Sequence, residues 1–436
     1  MNTVKINTGC GGVTGLEMPE GYVFQGIPYA TAERFEDPVL VESFEGDFDG
    51  TKKPLEFPQL NTYTDDSQRF YTKEFRRGES FEYAETPLTL NIMTPKNAEG
   101  CPVLIYIHGG GFFTGKQSEQ PAGTSLEYAK RGIILVSVSY RLNVFGLYRS
   151  KNFFLKDQLA AVKWVERNIS DFGGDPGNIS LIGQSAGAMS VFRLLYTDAL
   201  KGIVKRAIMM SGAGFLPFFA DGYTEKGGKR FWDAVMQEAG CCSDEELKAV
   251  STEKLWRAWW ETKQRKDNIH LLQPGIDGEL IPCSQAEIKK SGRMLDIPLM
   301  VGVTGQDMIF SLYVFKMARD FAVWSCRRGR EKVFCYYFDR VLPGKLYRSY
   351  HASDLWYMFG NMDKCWRPFG EDDYSLKDEM IDSVAKFIRE DDPGWDAFTL
   401  KDKKFRRFNT EGKKYVKMKD CLGELIRCSV FERGPF

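Results

Sequence analysis

The pentapeptide Gly183-Gln184-Ser185-Ala186-Gly187 constrains this chain more than any other feature, because of what flanks it. Ahead of it, Asn178-Ile179-Ser180-Leu181-Ile182 is short, apolar and β-branched, and reads as a buried strand. Behind it, Ala188-Met189-Ser190-Val191-Phe192-Arg193-Leu194-Leu195 has helical composition and no breaker. Strand, sharp turn and helix together present the central serine at the tip of a strained elbow. The glycines two residues to either side suit that geometry, since a Cβ there would strike strand or helix. A G-x-S-x-G string alone recurs by chance, so its surroundings carry the weight.

Upstream, Pro102-Val103-Leu104-Ile105-Tyr106-Ile107 reads as a second apolar strand and leads into His108-Gly109-Gly110-Gly111-Phe112. Three consecutive glycines cost backbone entropy. Beside a serine nucleophile they make sense as backbone N–H groups turned to one point, with no side chain in the way. Acyl transfer develops negative charge on a carbonyl oxygen, and each preorganised donor there is worth roughly 3–4 kcal/mol. Gly110 and Gly111 are the expected donors, with Ala186, the residue after the serine, as a third. A flexible surface loop is the plain alternative, and the placement after a strand weighs against it.

A serine nucleophile needs a base, and the chain holds three histidines, His108, His270 and His351. α/β-Hydrolases order their triad as serine, acid, histidine along the chain. His108 precedes the serine, and His270 follows it with no acid set after a strand ahead of it. His351 follows the turn signal Leu342-Pro343-Gly344 and leaves ample chain for an acid, so it is the expected base. Pro298-Leu299-Met300-Val301-Gly302-Val303 reads as a buried strand, and Thr304-Gly305-Gln306-Asp307 follows at its end. A carboxylate there reaches an imidazole and fixes its tautomer, which makes Asp307 the expected acid. Asp277 and Asp354 compete with it; the first lies in an Asp-Gly turn signal and the second could cap a helix.

Charges balance at 59 basic and 59 acidic residues, which argues against a general attraction to nucleic acid or an anionic membrane. The longest apolar runs, such as Ile133 to Val138, have strand length and are too short to cross a bilayer. Met1 to Asn7 has neither a basic n-region nor an apolar h-region, so no signal peptide is expected. The ten cysteines are scattered without a C-x-x-C pair, and with no export signal they predict reduced thiols in a cytoplasm. No Cys or His pair sits at ligand spacing and there is no H-E-x-x-H, so no zinc or other metal site is expected.

Strand-like and helix-like segments alternate, which predicts an α/β fold with a mostly parallel sheet flanked by helices. Ile133 to Val138 and Val333 to Phe338 are further strands. Leu155, Leu159, Val162, Glu166 and Ile169 trace one helical stripe; Leu376, Met380, Val384 and Phe387 trace another, with Ser375 and Asp378 spaced as a capping box. Motifs run through the chain without a linker, so residues 1–436 are expected to form one catalytic domain, with about 213–330 as a helical cap or regulatory elaboration. Within it, Trp232, Trp256, Trp259 and Trp260 read as an ordinary helix core rather than a sugar or aryl pocket. Phe112, Phe113, Gln184, Phe310 and Trp356 flank the catalytic motifs and are expected in the substrate pocket.

Further segments occur in a telling order: Gly26-Ile27-Pro28-Tyr29-Ala30 with Arg34-Phe35, Leu90-Asn91-Ile92, Ser139-Tyr140-Arg141-Leu142, Asp157-Gln158, Phe172-Gly173-Gly174-Asp175-Pro176, Met210-Ser211-Gly212, Ile276-Asp277-Gly278 and His351-Ala352-Ser353-Asp354 with Phe359-Gly360. With the glycine loop and the serine elbow, they resemble the successive signatures of the type B carboxylesterase family, which includes cholinesterases and bacterial para-nitrobenzyl esterases. The likeness runs from about residue 4 to about residue 398. It implies an α/β-hydrolase fold and maps the family's triad onto Ser185, Asp307 and His351. The chain departs from the family at two site positions, with Gln184 and Asp307 where Glu is common. Gln184 removes a charge beside the nucleophile, which argues against recognition of cationic, choline-like esters. Pro87 stands where secreted relatives carry a disulfide cysteine. The chain is also shorter than eukaryotic members, so trimmed lids are expected.

The expected chemistry is two-step acyl transfer without a cofactor on small to medium uncharged esters, with aryl or cinnamoyl types suited to the aromatic content. The expected partner is a small-molecule ester, with the chain acting as a monomer or small homo-oligomer. An amidase or carbamate hydrolase would use the same triad. A non-catalytic, cholinesterase-like binding protein is disfavoured by the retained serine and histidine, and a lipase by the lack of a long apolar lid.

Overall fold

Runs of aliphatic and β-branched residues become the strands of one large sheet. In the computed structural model, residues 2–426 are described except 64–68, 78, 216–224, 266–273, 308–310, 345–347, 413 and 424, with the backbone alone at 225–227. Strands β1 (Thr3–Thr8), β2 (Gly11–Met18), β3 (Gly21–Pro28), β4 (Thr89–Pro95), β5 (Cys101–Ile107), β6 (Ile134–Val138), β7 (Gly174–Gln184), β8 (Val204–Met210), β9 (Leu299–Thr304), β10 (Val333–Phe338), β11 (Phe405–Phe408) and β12 (Tyr415–Val416) lie in the order β1-β2-β3-β4-β6-β5-β7-β8-β9-β10-β11-β12. Phe48–Asp49 pairs with β2 beside this path. From β6 to β11 all neighbours are parallel, the remaining pairs along the path are antiparallel, and Phe48–Asp49 runs parallel to β2.

The helices that matter for the site are α1 (Phe70–Phe75), α2 (Phe153–Asn168), α3 (Ala186–Leu194), α4 (Glu225–Ala239), α5 (Thr252–Lys263), α6 (Ser311–Arg327), α7 (Leu355–Phe359) and α8 (Glu371–Glu390). Successive side chains of a strand point to opposite faces, and β5 feeds two separate cores accordingly. Val103, Ile105 and Ile107 join the core of α2, α3 and α6, while Leu104 and Tyr106 join that of α7 and α8. Central strands covered on both faces carry no polar alternation; every residue of β6, β9 and β10 is buried.

α4 and α5 build a third core from Phe231, Trp232, Val235, Leu255, Trp256 and Trp259, packed on Phe35 and Phe145. The tryptophans of this region are thus helix core, with Trp260 stacked on Trp256 at 5.3 Å. The same stretch, 213–330, also supplies sheet strand β9 and helix α6. The start of α8 differs from the expected cap at Ser375 and Asp378. The helix begins at Glu371, and Asp373 accepts the Gly370 N–H at 3.1 Å. The acidic run Glu371-Asp372-Asp373 suits the positive end of the helix dipole, and Asp378 instead pairs with Arg131 at 2.9 Å. Among the described residues, no helix is long and apolar enough to cross a membrane, and the nine described cysteines are free thiols.

Candidate active site

β7 ends at Gln184 and α3 begins at Ala186, which leaves Ser185 alone at the bend. Its φ of 54° and ψ of −121° are costly for a residue with a Cβ, by about 1–3 kcal/mol. The bend is tied by the Ser185 N–H to Met210 O at 2.8 Å and by the Met189 N–H to Ser185 O at 2.9 Å. A Cβ on Gly187 would lie 2.0 Å from Ile107 O, and one on Gly183 would lie 2.4 Å from Gly187 O. Both glycines therefore let α3 pack directly against β5 and β7.

The glycine loop leaves β5 at His108. That ring is buried, stacks on Tyr140 with centroids 4.3 Å apart, and donates from Nδ1 to Gly109 O at 2.8 Å. Burial pushes its pKa down to about 3, so it stays neutral and serves as a structural pin. Gly109 approaches the elbow so closely that a Cβ would meet Gln184 Oε1 at 2.5 Å and Ser185 Cβ at 3.1 Å. Gly110, at φ 104°, would place a Cβ 2.0 Å from Thr114 O. Its carbonyl accepts the N–H groups of Phe113 and Thr114, which folds the loop into a tight turn. From behind, Gln59 Oε1 accepts from Gly115 N at 3.1 Å and from Arg76 Nη2 at 2.9 Å.

Asp307 follows β9 and is fully buried. His351 Nδ1 donates to its Oδ1 at 2.5 Å, while Ser211 Oγ at 2.5 Å and the Thr304 N–H at 3.0 Å donate to Oδ2. With Nδ1 protonated toward the carboxylate, Nε2 presents a lone pair, and Gln184 Nε2 donates to it at 3.2 Å. The His351 carbonyl accepts from Tyr71 Oη at 3.3 Å. The competing acids are engaged elsewhere. Asp277 accepts the N–H groups of Glu279 and Ile281 within its own turn and the Asn152 side-chain amide from the start of α2. Asp354 accepts from Tyr336 Oη at 2.9 Å, and burial pushes its carboxyl up to about 7. His270 lies outside the described residues.

Ser185, Gln184, His351, Gly109, Gly110 and Gly111 line one cavity of about 620 Å³. Ala186 is buried beneath it at the start of α3. Its apolar wall is Leu60, Phe70, Tyr71, Phe75 and Leu355, and its polar wall includes Arg69, Arg76, Thr114 and Glu119. Three of the expected pocket rings, Phe112, Phe113 and Trp356, are not among the described residues that line it. Phe112 turns into the core against Phe154 at 4.7 Å, Phe113 packs on Trp259 at 5.6 Å, and Trp356 sits behind the wall on Phe75 at 5.8 Å. Phe310 lies outside the described residues. The cavity's rings come instead from α1, a six-residue helix too short to show a hydrophobic period. The role of Ser211 as a support for the acid is not foreseen in the sequence, although Met210-Ser211-Gly212 stands among the family-like segments, at the end of β8. Among the described residues, no group of three or more His, Cys, Asp and Glu is placed to hold a metal ion.

A serine elbow over a glycine loop, facing a buried histidine–carboxylate pair at the ends of parallel strands, is equipped for acyl transfer. The profile of the carboxylesterase family matches residues 2–323 and 306–423, and the chain belongs to that family. It is a carboxylic ester hydrolase. It is 33% identical to the para-nitrobenzyl esterase of Bacillus subtilis (strain 168) over 456 aligned residues, covering 90% of this chain and 89% of that protein. Liver carboxylesterase 1 of Oryctolagus cuniculus is 31% identical over 315 residues, 65% of this chain and 54% of that protein. The solved structure of a PNB esterase superposes with a TM-score of 0.82 at 26% identity, covering 97% of this chain and 99% of that one. The α/β-hydrolase fold implied by the sequence is the fold observed.

Proposed function

We propose that this carboxylesterase works through an acyl-enzyme on Ser185. His351 takes the proton from Ser185 Oγ as it attacks the ester carbonyl, and Asp307 stabilises the resulting imidazolium. Backbone N–H groups of Gly110, Gly111 and Ala186 hold the oxyanion. The alcohol leaves with the proton from His351, and a water activated by the same imidazole releases the acid. The observation that carries this reading is the buried His351–Asp307 pair at 2.5 Å, on the same cavity as a serine held at φ 54°. The apolar and aromatic wall suits esters of small to medium acids and aryl alcohols. Hydrolysis of para-nitrophenyl acetate and butyrate by the wild type and by Ser185→Ala tests it. Activity is expected in the wild type and a loss of about 10⁵–10⁶-fold in kcat in the variant. Equal rates from the two proteins would remove the serine from the mechanism.

A further inference from the structure

The cavity above Ser185 carries two arginines that form no ion pair among the described residues. Arg76 is only 9% exposed. Among those residues its guanidinium makes one side-chain hydrogen bond, to neutral Gln59, and it lies 5.8 Å from the Phe81 ring. Arg69 lines the same wall. A third cation, Lys263, sits over the rings of Phe113 and Trp260, 4.4 Å from each centroid, near enough to Arg69 for the two charges to repel. Burial and that repulsion push its pKa down to about 8.

Two neighbours bear on this excess. Gln184, beside the nucleophile, contributes an amide and no charge. Glu119, the one carboxylate among the described residues of the cavity wall, has its pKa pushed up to about 7 by burial, against the pull of Arg76 and Lys116, and the buried Glu56 behind it, which also feels the Arg76 charge, is already paired with Lys116 at 3.1 Å. A buried guanidinium with donors to spare is costly unless something anionic meets it. Its planar fork matches a carboxylate with two parallel hydrogen bonds.

Building on the Ser185 reading, we propose that the preferred substrates are esters carrying a second, free carboxylate, held by Arg76 and Arg69 while an apolar spacer lies along Phe70, Tyr71 and Phe75. This departs from the uncharged ester expected from the sequence. For a half-ester of a dicarboxylic acid, the Ser185 Oγ–acyl bond forms as the alkoxy C–O bond breaks, and water then cleaves the acyl-enzyme. One water is consumed, and a dicarboxylate, an alcohol and one proton are released. The free carboxylate can sit on the acyl or the alcohol side of the scissile bond, and the test separates the two.

The acyl arm compares kcat/KM for the para-nitrophenyl half-ester of adipic acid with that for para-nitrophenyl hexanoate, corrected for spontaneous hydrolysis. The alcohol arm compares 4-acetoxybenzoate with 4-acetoxybenzamide. The expected result is a preference of about tenfold or more for the anionic ester in at least one arm. That ratio is expected to fall severalfold in Arg76→Gln and in Arg69→Gln, and to shrink as salt rises from about 0.05 to about 0.5 M. In the wild type alone, adipate is expected to compete with hexanoate-ester hydrolysis at concentrations where adipamide does not, a readout independent of how the variants fold. If the neutral ester is hydrolysed as fast in both arms and adipate does not compete, the anion site is wrong while the serine esterase stands. If no ester in the panel is hydrolysed, or if Ser185→Ala retains the activity, the underlying reading fails as well.

Discussion

Both oxygens of the Asp307 carboxylate are occupied, one by His351 and the other by Ser211 and the Thr304 N–H. In the proposed mechanism a carboxylate held this way keeps Nδ1 of His351 protonated and leaves Nε2 as the base. Asp307→Asn would present an amide to the same ring and select the wrong tautomer. We expect kcat to fall about 10⁴-fold with the fold unchanged, checked by steady-state kinetics alongside circular dichroism. Asp354, three residues past the histidine, is a separate case. Burial, reinforced by the nearby Asp307 charge and opposed by the Tyr336 hydroxyl, pushes its carboxyl up to about 7, against an unfolded value near 4. Between those values the folded protein retains a proton that the unfolded chain has lost, so stability falls as pH rises from about 4 to about 7. Asp354→Asn keeps an acceptor for Tyr336 and removes the titration. Its Tm relative to wild type is expected to rise more at about pH 8 than at about pH 5, by an amount worth on the order of 1–3 kcal/mol; an equal offset at both values would contradict the assignment.

At the scale of elements, α1 forms a wall of the cavity although it spans only six residues. An isolated helix of that length is unstable in water, so tertiary contacts must hold it. Glu74 supplies them. Arg367 donates to its two oxygens at 2.7 and 3.1 Å, Trp366 Nε1 donates at 2.9 Å, and the Tyr350 hydroxyl adds a further bond. Both partners of this ion pair are buried. Glu74→Gln leaves the Arg367 charge uncompensated at a cost of about 3–5 kcal/mol. A lower Tm and a raised KM for butyrate esters are expected, since Phe70, Tyr71 and Phe75 ride on the same helix. The same scale shows what is legible in the sequence. β5, β6, β9 and β10 can be read because strands buried on both faces are unbroken apolar runs. α1 cannot, because one and a half turns show no period and its stabilising partner lies nearly three hundred residues away. The start of α8 is misleading because Ser375 and Asp378 imitate a cap inside a helix that the acidic run at Glu371 has already begun.

Across the whole molecule, the site follows from the parallel centre of the sheet. Ligand sites in such sheets form beyond the carboxyl ends of the strands. Here Gly109, Ser185, Ser211 and Asp307 stand just past the ends of β5, β7, β8 and β9. Ser185 and Asp307 belong to strand-and-turn signals that are local in sequence, and His351 follows from a turn signal and the expected order of a triad, so the three residues proposed as catalytic can be picked out from the chain itself. Cavity content is a different matter. Arg76 and the α1 rings face Ser185 only through tertiary packing, and no local pattern marks them. The covalent intermediate on Ser185 is the step that separates this mechanism from any other. The direct measurement is peptide mass spectrometry of the protein after inhibition by an aryl organophosphate. One adduct per chain on Ser185 is expected, formed in proportion to lost esterase activity and absent from Ser185→Ala. An adduct that tracks inactivation at another residue, or full esterase activity in protein fully labelled at Ser185, would contradict it.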